Sequence, residues 1–586
     1  MNIEKQIALT KPLMALFEST GMSRRHFLKM LGVAGGGTSL AALITACGGD
    51  DDDNTQGETA PTTVSDESTP GADGGSDVDA TAEPQDESTG AVTPKVLVIG
   101  HGQDISNLDP HVASDYSIAP TQKAVYDTLL RFKGNPPQLV NLLATEHSGN
   151  DDATEWTFKL DDRAAFHDGT PVKASDVVYS AQRMIRKNRG LAWLLTNVMS
   201  EDGVEAIDDH TVKFTLDTPF SPFPMAMPWL FIANEKLVRE HDVNGDEGEA
   251  WLLDHEAGSG PFTIKSWNVG DSYEFEAVAD YWHGWPQEGR LAGYIWRIMR
   301  ESSSRRLALL SGAIHTASLS VEDFSAMQGE PGFTFIEEEG FEVSSIKMNN
   351  QHGLTADVNI RKAISYAMDY EAIIDVFQGK AVLLHGPLPP NNPYANLEME
   401  VYRHNIDKAR EHLAMTDYPD GGFTLEYVYV TGVGWQEQIG LILLDQLRQL
   451  NITLTMTPKV WPDMAALISD AETTPDLIPV SIIPTYPHPN AYLWTMYHST
   501  QAGTSGGGSH FSNTEYDRLV EEAQGISDEE QLRSLYNQAQ QILVDNAVEI
   551  WEHSGLSQRV NSERLGGFEF NPIYGEYMVD YWLKDE

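Results

Sequence analysis

The chain has 586 residues, 41% hydrophobic and 22% charged, with 48 Gly and 30 Pro, a globular composition with room for more than one compact unit. Asp and Glu number 87 against 39 Lys and Arg, a formal charge of −48. That balance excludes nucleic acid and anionic membrane surfaces as partners, because phosphate contacts need clustered Lys or Arg. The acidity fits either a surface adapted to salt or an ordinary acidic secreted protein.

The first fifty residues read as an address. Ser23-Arg24-Arg25-His26-Phe27-Leu28-Lys29 follows the twin-arginine export pattern. The weakly apolar stretch 31–46 is too short for a membrane span, which needs roughly 20 residues. It ends in Ile44-Thr45-Ala46-Cys47, small residues ahead of the only cysteine, in the manner of a lipoprotein signal-peptidase site. Residues 1–46 are therefore expected to be removed, and Cys47 to carry a diacylglycerol at the outer face of the cytoplasmic membrane (periplasmic or cell-surface). Two acyl chains, at about 0.8 kcal/mol per buried methylene, give durable anchoring. A single cysteine rules out an internal disulfide, so the core must hold by burial. Residues 47–94, rich in Asp, Glu, Thr, Ser, Gly and Pro, are expected to form an acidic disordered linker.

Beyond the linker the pattern mixes strands and helices. Lys95-Val96-Leu97-Val98-Ile99 is an apolar run of strand length. Trp156, Phe158 and Leu160 alternate, as do Val212, Phe214 and Leu216, each series offering one buried strand face. Amphipathic helices are predicted over 175–187, 360–377, 436–450 and 513–524. Another is predicted from a cap at Ser527, with Glu530 three residues on, to about Val544. Phe166-His167-Asp168-Gly169-Thr170-Pro171 reads as a strand end, a turn with Gly169 at positive φ, and a helix capped by Ser175. His167 is expected to stabilise that turn rather than bind metal. Gly258-Ser259-Gly260-Pro261 lacks the residues of a phosphate loop and is read as a tight crossover between lobes.

Taken together, these segments resemble extracellular solute-binding protein family 5, the binding proteins of peptide, oligosaccharide and nickel importers. The resemblance rests on an ordered series: Leu108-Asp109-Pro110-His111, Val125 to Leu130, Trp156 to Leu160, Phe166 to Ser180, Gly258 to Phe262, Asp280-Tyr281-Trp282, Met348-Asn349-Asn350, Val358 to Ile364 and Gly566-Gly567-Phe568. It implies an α/β, two-lobed periplasmic-binding-protein-like fold of the large class, with a hinged cleft and an extra subdomain in lobe I. The expected division is 95–139, 256–346 and 548–586 for lobe I, 140–255 for the subdomain, and 347–547 for lobe II. Hinges are expected near 343–350 and 544–550, and closure follows when solute stabilises the shut state.

The resemblance also implies a pocket. Ser114, Asp115 and Tyr116 would line it from lobe I, with Asn349, Trp461, Thr485, Tyr486 and His488 from lobe II. In peptide binders of the family an aspartate opens the loop Asp-Tyr-x-Asp/Glu-Pro and holds the ligand's ammonium group. Thr485 stands at that place here, and His488 replaces the second acid. Trp461 and Tyr486 suit a stacking wall, with core packing as the alternative, and His488 between two prolines is expected to be partly exposed. The expected partners are a small solute, a peptide or alternatively an oligosaccharide, and the permease and ATPase subunits of an ABC importer. A sensing role uses the same body. The membrane is met only through the lipid, and the protein is expected to be monomeric. No metal, cofactor or catalytic residue is expected. The one hydrolase-like match, Gly503-Thr504-Ser505-Gly506-Gly507, sits in a glycine-rich loop where a nucleophile elbow needs a strand before and a helix after.

Overall fold

The computed structural model describes residues 95–105, 107–112, 118–285, 290–573 and 576–585, all within the unit Gly90–Glu586. The export motif at Arg24 and Arg25, the lipidation site Cys47 and the linker lie outside the described residues.

Strands are numbered in chain order. After β1 (Val96–His101) come the hairpin β2 (Leu130–Lys133) and β3 (Gln138–Asn141), and then β4 (Ala144–Gly149), β5 (Glu155–Leu160), β6 (Val204–Asp208) and β7 (Thr211–Thr215). The chain continues through β8 (Phe262–Asn268), β9 (Ser272–Ala277), β10 (Gly293–Ile298), β11 (Thr316–Ser318) and β12 (Phe333–Ile336). Next follow β13 (Val343–Met348), β14 (Ala381–Leu383), β15 (Thr424–Val430), β16 (Thr453–Lys459), β17 (Leu477–Ile482), β18 (Glu549–Gly555) and β19 (Arg559–Ser562).

A seven-stranded sheet runs β12-β19-β11-β1-β10-β9-β8, and a six-stranded sheet runs β14-β18-β13-β17-β15-β16. The apolar strand β1 sits mid-sheet, parallel to both β10 and β11, with Leu97 and Ile99 buried, as a strand covered on both faces requires. A third sheet, β4-β5-β7-β6, is antiparallel and separate. The alternation read in its sequence is the reason it packs: Phe158, Leu160, Val212, Phe214 and Leu216 are buried, and Phe158 meets Phe214 edge-on at 5.7 Å.

The chain passes between the two large sheets twice. Residues 337–342 lead from β12 to β13, and 556–558 return from β18 to β19. The two passages run side by side: Ser557 N donates to Glu338 O at 2.9 Å, and Glu339 bridges Leu556. This bears on the expected hinges at 343–350 and 544–550. Residues 343–348 and 549–550 of them lie in strands of the six-stranded sheet. β13 is hydrogen-bonded on both sides, to β17 and β18, so bending there would break ladder bonds.

Local signals hold with small shifts. Gly169 does take φ +82°. The following helix, Ala174–Lys187, starts after Lys173 rather than at Ser175, because Asp176 Oδ2 accepts the Lys173 N–H at 2.9 Å. The single helix expected over 360–377 is two, Val358–Ala367 and Tyr370–Val376, since Asp369 caps the second by accepting from Ala372 N. Asp528, not Ser527, caps the helix Glu529–Asp545. The Gly258-Ser259-Gly260 segment is no interlobe crossover: it packs on the end of the helix Ala119–Val125. A Cβ on Gly258 would lie 2.0 Å from Val125 O, so only glycine fits.

Three of the ordered sequence blocks converge on one buried carboxylate. Asp127 accepts from Ser259 Oγ (3.0 Å), Tyr281 OH (2.8 Å) and Trp282 Nε1 (2.8 Å). Burial pushes its pKa up to about 6, although these donors pull the other way.

Candidate ligand-binding site

Just ahead of the segment that the resemblance assigns to the pocket, Asp109 and His111 sit in a buried ion cluster. Asp109 takes both prongs of Arg183, at 2.7 and 2.6 Å, and both side chains are fully buried. Burial alone would raise the Asp109 carboxyl, but the Arg183 charge outweighs it and holds the pKa below the ordinary value. His111 Nδ1 lies 3.0 Å from Arg183 NH1, so it must accept, and Nε2–H then donates to Phe231 O at 2.9 Å. Burial, with the nearby guanidinium, lowers the His111 pKa to about 4, which keeps the ring neutral. Ser114, Asp115 and Tyr116, which follow this anchor, lie outside the described residues.

Two clasps join the lobes on the far side of the cleft. Trp229 Nε1 donates to Thr485 O at 2.5 Å. Ser221 N and Oγ donate to Gln524 O and Ile526 O, at 2.8 and 2.9 Å. The first lobe's small sheet and the second lobe share one buried hydrophobic cluster, Phe220 and Trp229 included with Tyr486 and Tyr492. These contacts tie residues 220–229 to the second lobe. Trp229→Phe keeps an aromatic side chain, smaller than the indole, and removes the donor. We expect solute affinity to fall about three- to tenfold, the worth of one hydrogen bond at about 0.5–1.5 kcal/mol, measured by calorimetry; an unchanged affinity would show that the clasp does not favour the shut state.

The lobe II residues expected in the pocket are mostly structural. Asn349 is buried and spent on backbone: Nδ2 donates to Ala471 O and Thr474 O, while Oδ1 accepts from Gln351 N and His352 N. Trp461 is 43% exposed at the first turn of the helix Trp461–Ile468 and forms no wall of the cavity described below. Tyr486 is buried, its OH donating to Asn490 Oδ1 at 2.8 Å. His488 is 6% exposed, against the expectation of a loop side chain. It lies about 6 Å from the rings of Tyr394 and Tyr536, and burial lowers its pKa to about 3. Thr485 is buried, offering its carbonyl to Trp229. His167 ties its turn to the 256–260 segment, with Nδ1 2.8 Å from Glu256 Oε1 and Nε2 2.8 Å from Gly260 O. Ser505 is exposed in a loop with no strand directly before it and no helix directly after, so the elbow geometry is not met.

A cavity of about 460 Å3 opens where the two passages cross, within the range of small-molecule sites. Its floor is the passages themselves, Gly340 to Glu342 and Gly555 to Gln558. Ser318, Arg559 and Glu576 line it from the first lobe, and Phe377, Trp435 and His553 from the second. Arg559 NH1 is held 2.5 Å from Glu576 Oε1. His553 sits on a β-bulge where two residues of β18 oppose Ser344 of β13. Its ring lies 4.2 Å from Phe377 and 5.3 Å from Trp435. Burial lowers its pKa to about 3, and Nδ1 makes no hydrogen bond among the described residues. Sequence reading missed this set because Glu342 lies more than 200 positions before His553 and Arg559, and none of the three sits in a motif.

A two-lobed α/β body with a cavity at its double crossing defines a solute-binding protein. The family model of bacterial extracellular solute-binding proteins, family 5 (Middle), matches residues 138–504, more than half of the chain, and the protein belongs to that family. It is 29% identical over 492 residues to the probable D,D-dipeptide-binding periplasmic protein DdpA of Escherichia coli K12, covering 82% of this chain and 93% of DdpA. It is 26% identical to heme-binding protein A of Haemophilus influenzae, covering 78% and 87%. Among solved structures it matches the Listeria monocytogenes substrate-binding protein CtaP with a TM-score of 0.74, 25% identity, and 84% and 100% coverage. The Helicobacter pylori periplasmic binding protein DppA, in complex with the peptide STSA, gives a TM-score of 0.73, 22% identity, and 84% and 98% coverage.

Proposed function

We propose that this protein is the monomeric substrate-binding component of an ABC importer, capturing a short peptide between its lobes and presenting the shut form to a permease with its ATPases. The observation that carries the reading is the cavity at the double crossing, about 460 Å3 in volume and lined from both lobes. Solute there touches both jaws only when they are shut, so binding energy shifts the population toward closure. DdpA and DppA, named above for D,D-dipeptides and bound to a peptide respectively, support peptide as the solute class. The resemblance assigns Ser114, Asp115 and Tyr116 to the same cleft, from the first lobe. The protein acts as a carrier and not as an enzyme.

The test is calorimetric titration of the mature body with free dipeptides, alongside mass spectrometry of whatever co-purifies with native protein. One-to-one binding at micromolar affinity, about −8 kcal/mol, is the expected result. A co-purified oligosaccharide with no response to any peptide would move the solute class to sugars. The anchor is tested separately: Cys47→Ser should leave the protein unlipidated and in the soluble fraction, and membrane retention of that variant refutes the lipid at Cys47.

A further inference from the structure

The ionisable groups lining the crossing cavity do not balance. They are Glu342, Lys380, Arg559, Glu576 and His553. Lys380 Nζ is 2.6 Å from Glu337 Oε2, and Arg559 is paired with Glu576. His553 is neutral, held so by burial. That leaves Glu342. Among the described residues no cation lies within ion-pair distance of its carboxylate. Its one hydrogen bond is accepted at Oε1 from Ser344 Oγ, at 3.0 Å. Oε2 lies beside Gly555 on the neighbouring passage.

We propose that Glu342 is the cation anchor of the solute site: it receives a protonated amino group of the bound molecule, with the unbonded imidazole of His553 reading a polar group beside it. The argument is electrostatic. A carboxylate in a half-enclosed cavity keeps its charge by hydration, and solute entry with lobe closure removes that water. The cost is met only if the solute brings a compensating cation, and a charge-assisted hydrogen bond to a carboxylate is among the stronger polar contacts. The position suits the task. Glu342 ends the first passage, and Ser344, which orients its Oε1, is the register partner of His553 across the bulge. Charge and neutral ring therefore line the same cavity, one from the passage into β13 and the other from β18. Position 485, where peptide binders of the family are expected to carry the charge, is a threonine whose carbonyl accepts from Trp229. The assigned solute class is molecules bearing one protonated amine, and the assignment rests on the small-solute reading above.

Calorimetry on the mature protein tests this with free L-methionyl-L-leucine and D-alanyl-D-alanine, their N-acetyl counterparts, and the Glu342→Gln variant. The free dipeptide that binds wild type should lose at least tenfold in affinity on N-acetylation. Glu342→Gln should lose at least tenfold toward the free form while binding the acetylated form as wild type does. Equal affinity of wild type for free and acetylated forms overturns the assignment without recourse to any variant, as does full affinity of a folded Glu342→Gln for the free dipeptide; in both cases peptide binding itself still stands. Failure of wild type to bind any dipeptide instead sinks the peptide reading, and a co-purified solute lacking a cationic nitrogen then sinks the Glu342 assignment as well.

Discussion

Arg183→Met should lower the unfolding free energy by about 3–5 kcal/mol, the usual cost of breaking a buried ion pair from one side. The pair has no access to solvent to soften the loss, since both Arg183 and Asp109 side chains are fully buried. Removing the guanidinium strands the Asp109 carboxylate, which among the described residues keeps the His111 N–H at 3.0 Å. It also removes the donor that fixes the His111 tautomer. Arg183→Lys should recover little, because an ammonium cannot reproduce the two-pronged geometry. Pairing Arg183→Met with Asp109→Asn should recover part of the loss by discarding the stranded charge. Urea midpoints at constant slope report all three. A cost below about 1 kcal/mol for Arg183→Met would mean that water reaches Asp109, contrary to its burial. Because the same cluster precedes the loop assigned to the cleft, solute affinity should fall in parallel with stability.

Glu552→Gln should stabilise the protein at pH 8 by several kcal/mol and leave it nearly unchanged at pH 4.5. Glu552 is fully buried, and neither carboxyl oxygen makes a hydrogen bond among the described residues. Burial pushes its pKa up to about 8, from an ordinary 4.5. A group raised in the folded state contributes its full stability below its unfolded pKa and loses it as pH rises to the folded value. The loss therefore develops between pH 4.5 and 8, at about 1.4 kcal/mol per unit. The His553 ring lies 3.7 Å away, too far for a hydrogen bond, and does not rescue the charge, because burial holds it neutral. The buried histidines act on the opposite limb. His488 and His553, lowered to about 3, destabilise the fold as pH falls below 6.5, and these losses are common to wild type and variant. Urea unfolding at pH 4.5, 6 and 8 separates the limbs. A difference between variant and wild type that stays constant across that range would show that Glu552 does not titrate as a buried acid.

Elements whose causes lie within a few residues were legible in the sequence. The Gly169 turn, the alternating faces of β5 and β7, and the amphipathic helix expected over 513–524 and found over Thr514–Gln524 all depend on neighbours along the chain. So do the ordered blocks that carry the family, although only the fold shows that three of them meet on Asp127. The site was legible only in part. The second hinge was expected over 544–550, yet Glu549 and Ile550 begin β18, whose residues 549–554 are all buried. Glu549 tolerates burial because Lys347, more than 200 positions earlier, lies 2.6 Å from it, whereas the Glu552 carboxyl and His553 Nδ1 are buried with no hydrogen bond among the described residues. His488 looked like a loop histidine until Tyr394 and Tyr536 closed over it. Nothing local marks Glu342 among its neighbouring glutamates; it is set apart because β13 and β18 bring it to the crossing while Lys380 and Arg559 find other partners. Backbone propensity and apolar periodicity act over a few residues and are written in the chain order. Burial, charge compensation and the place where two sheets exchange strands depend on groups hundreds of residues apart, and only the folded chain decides them.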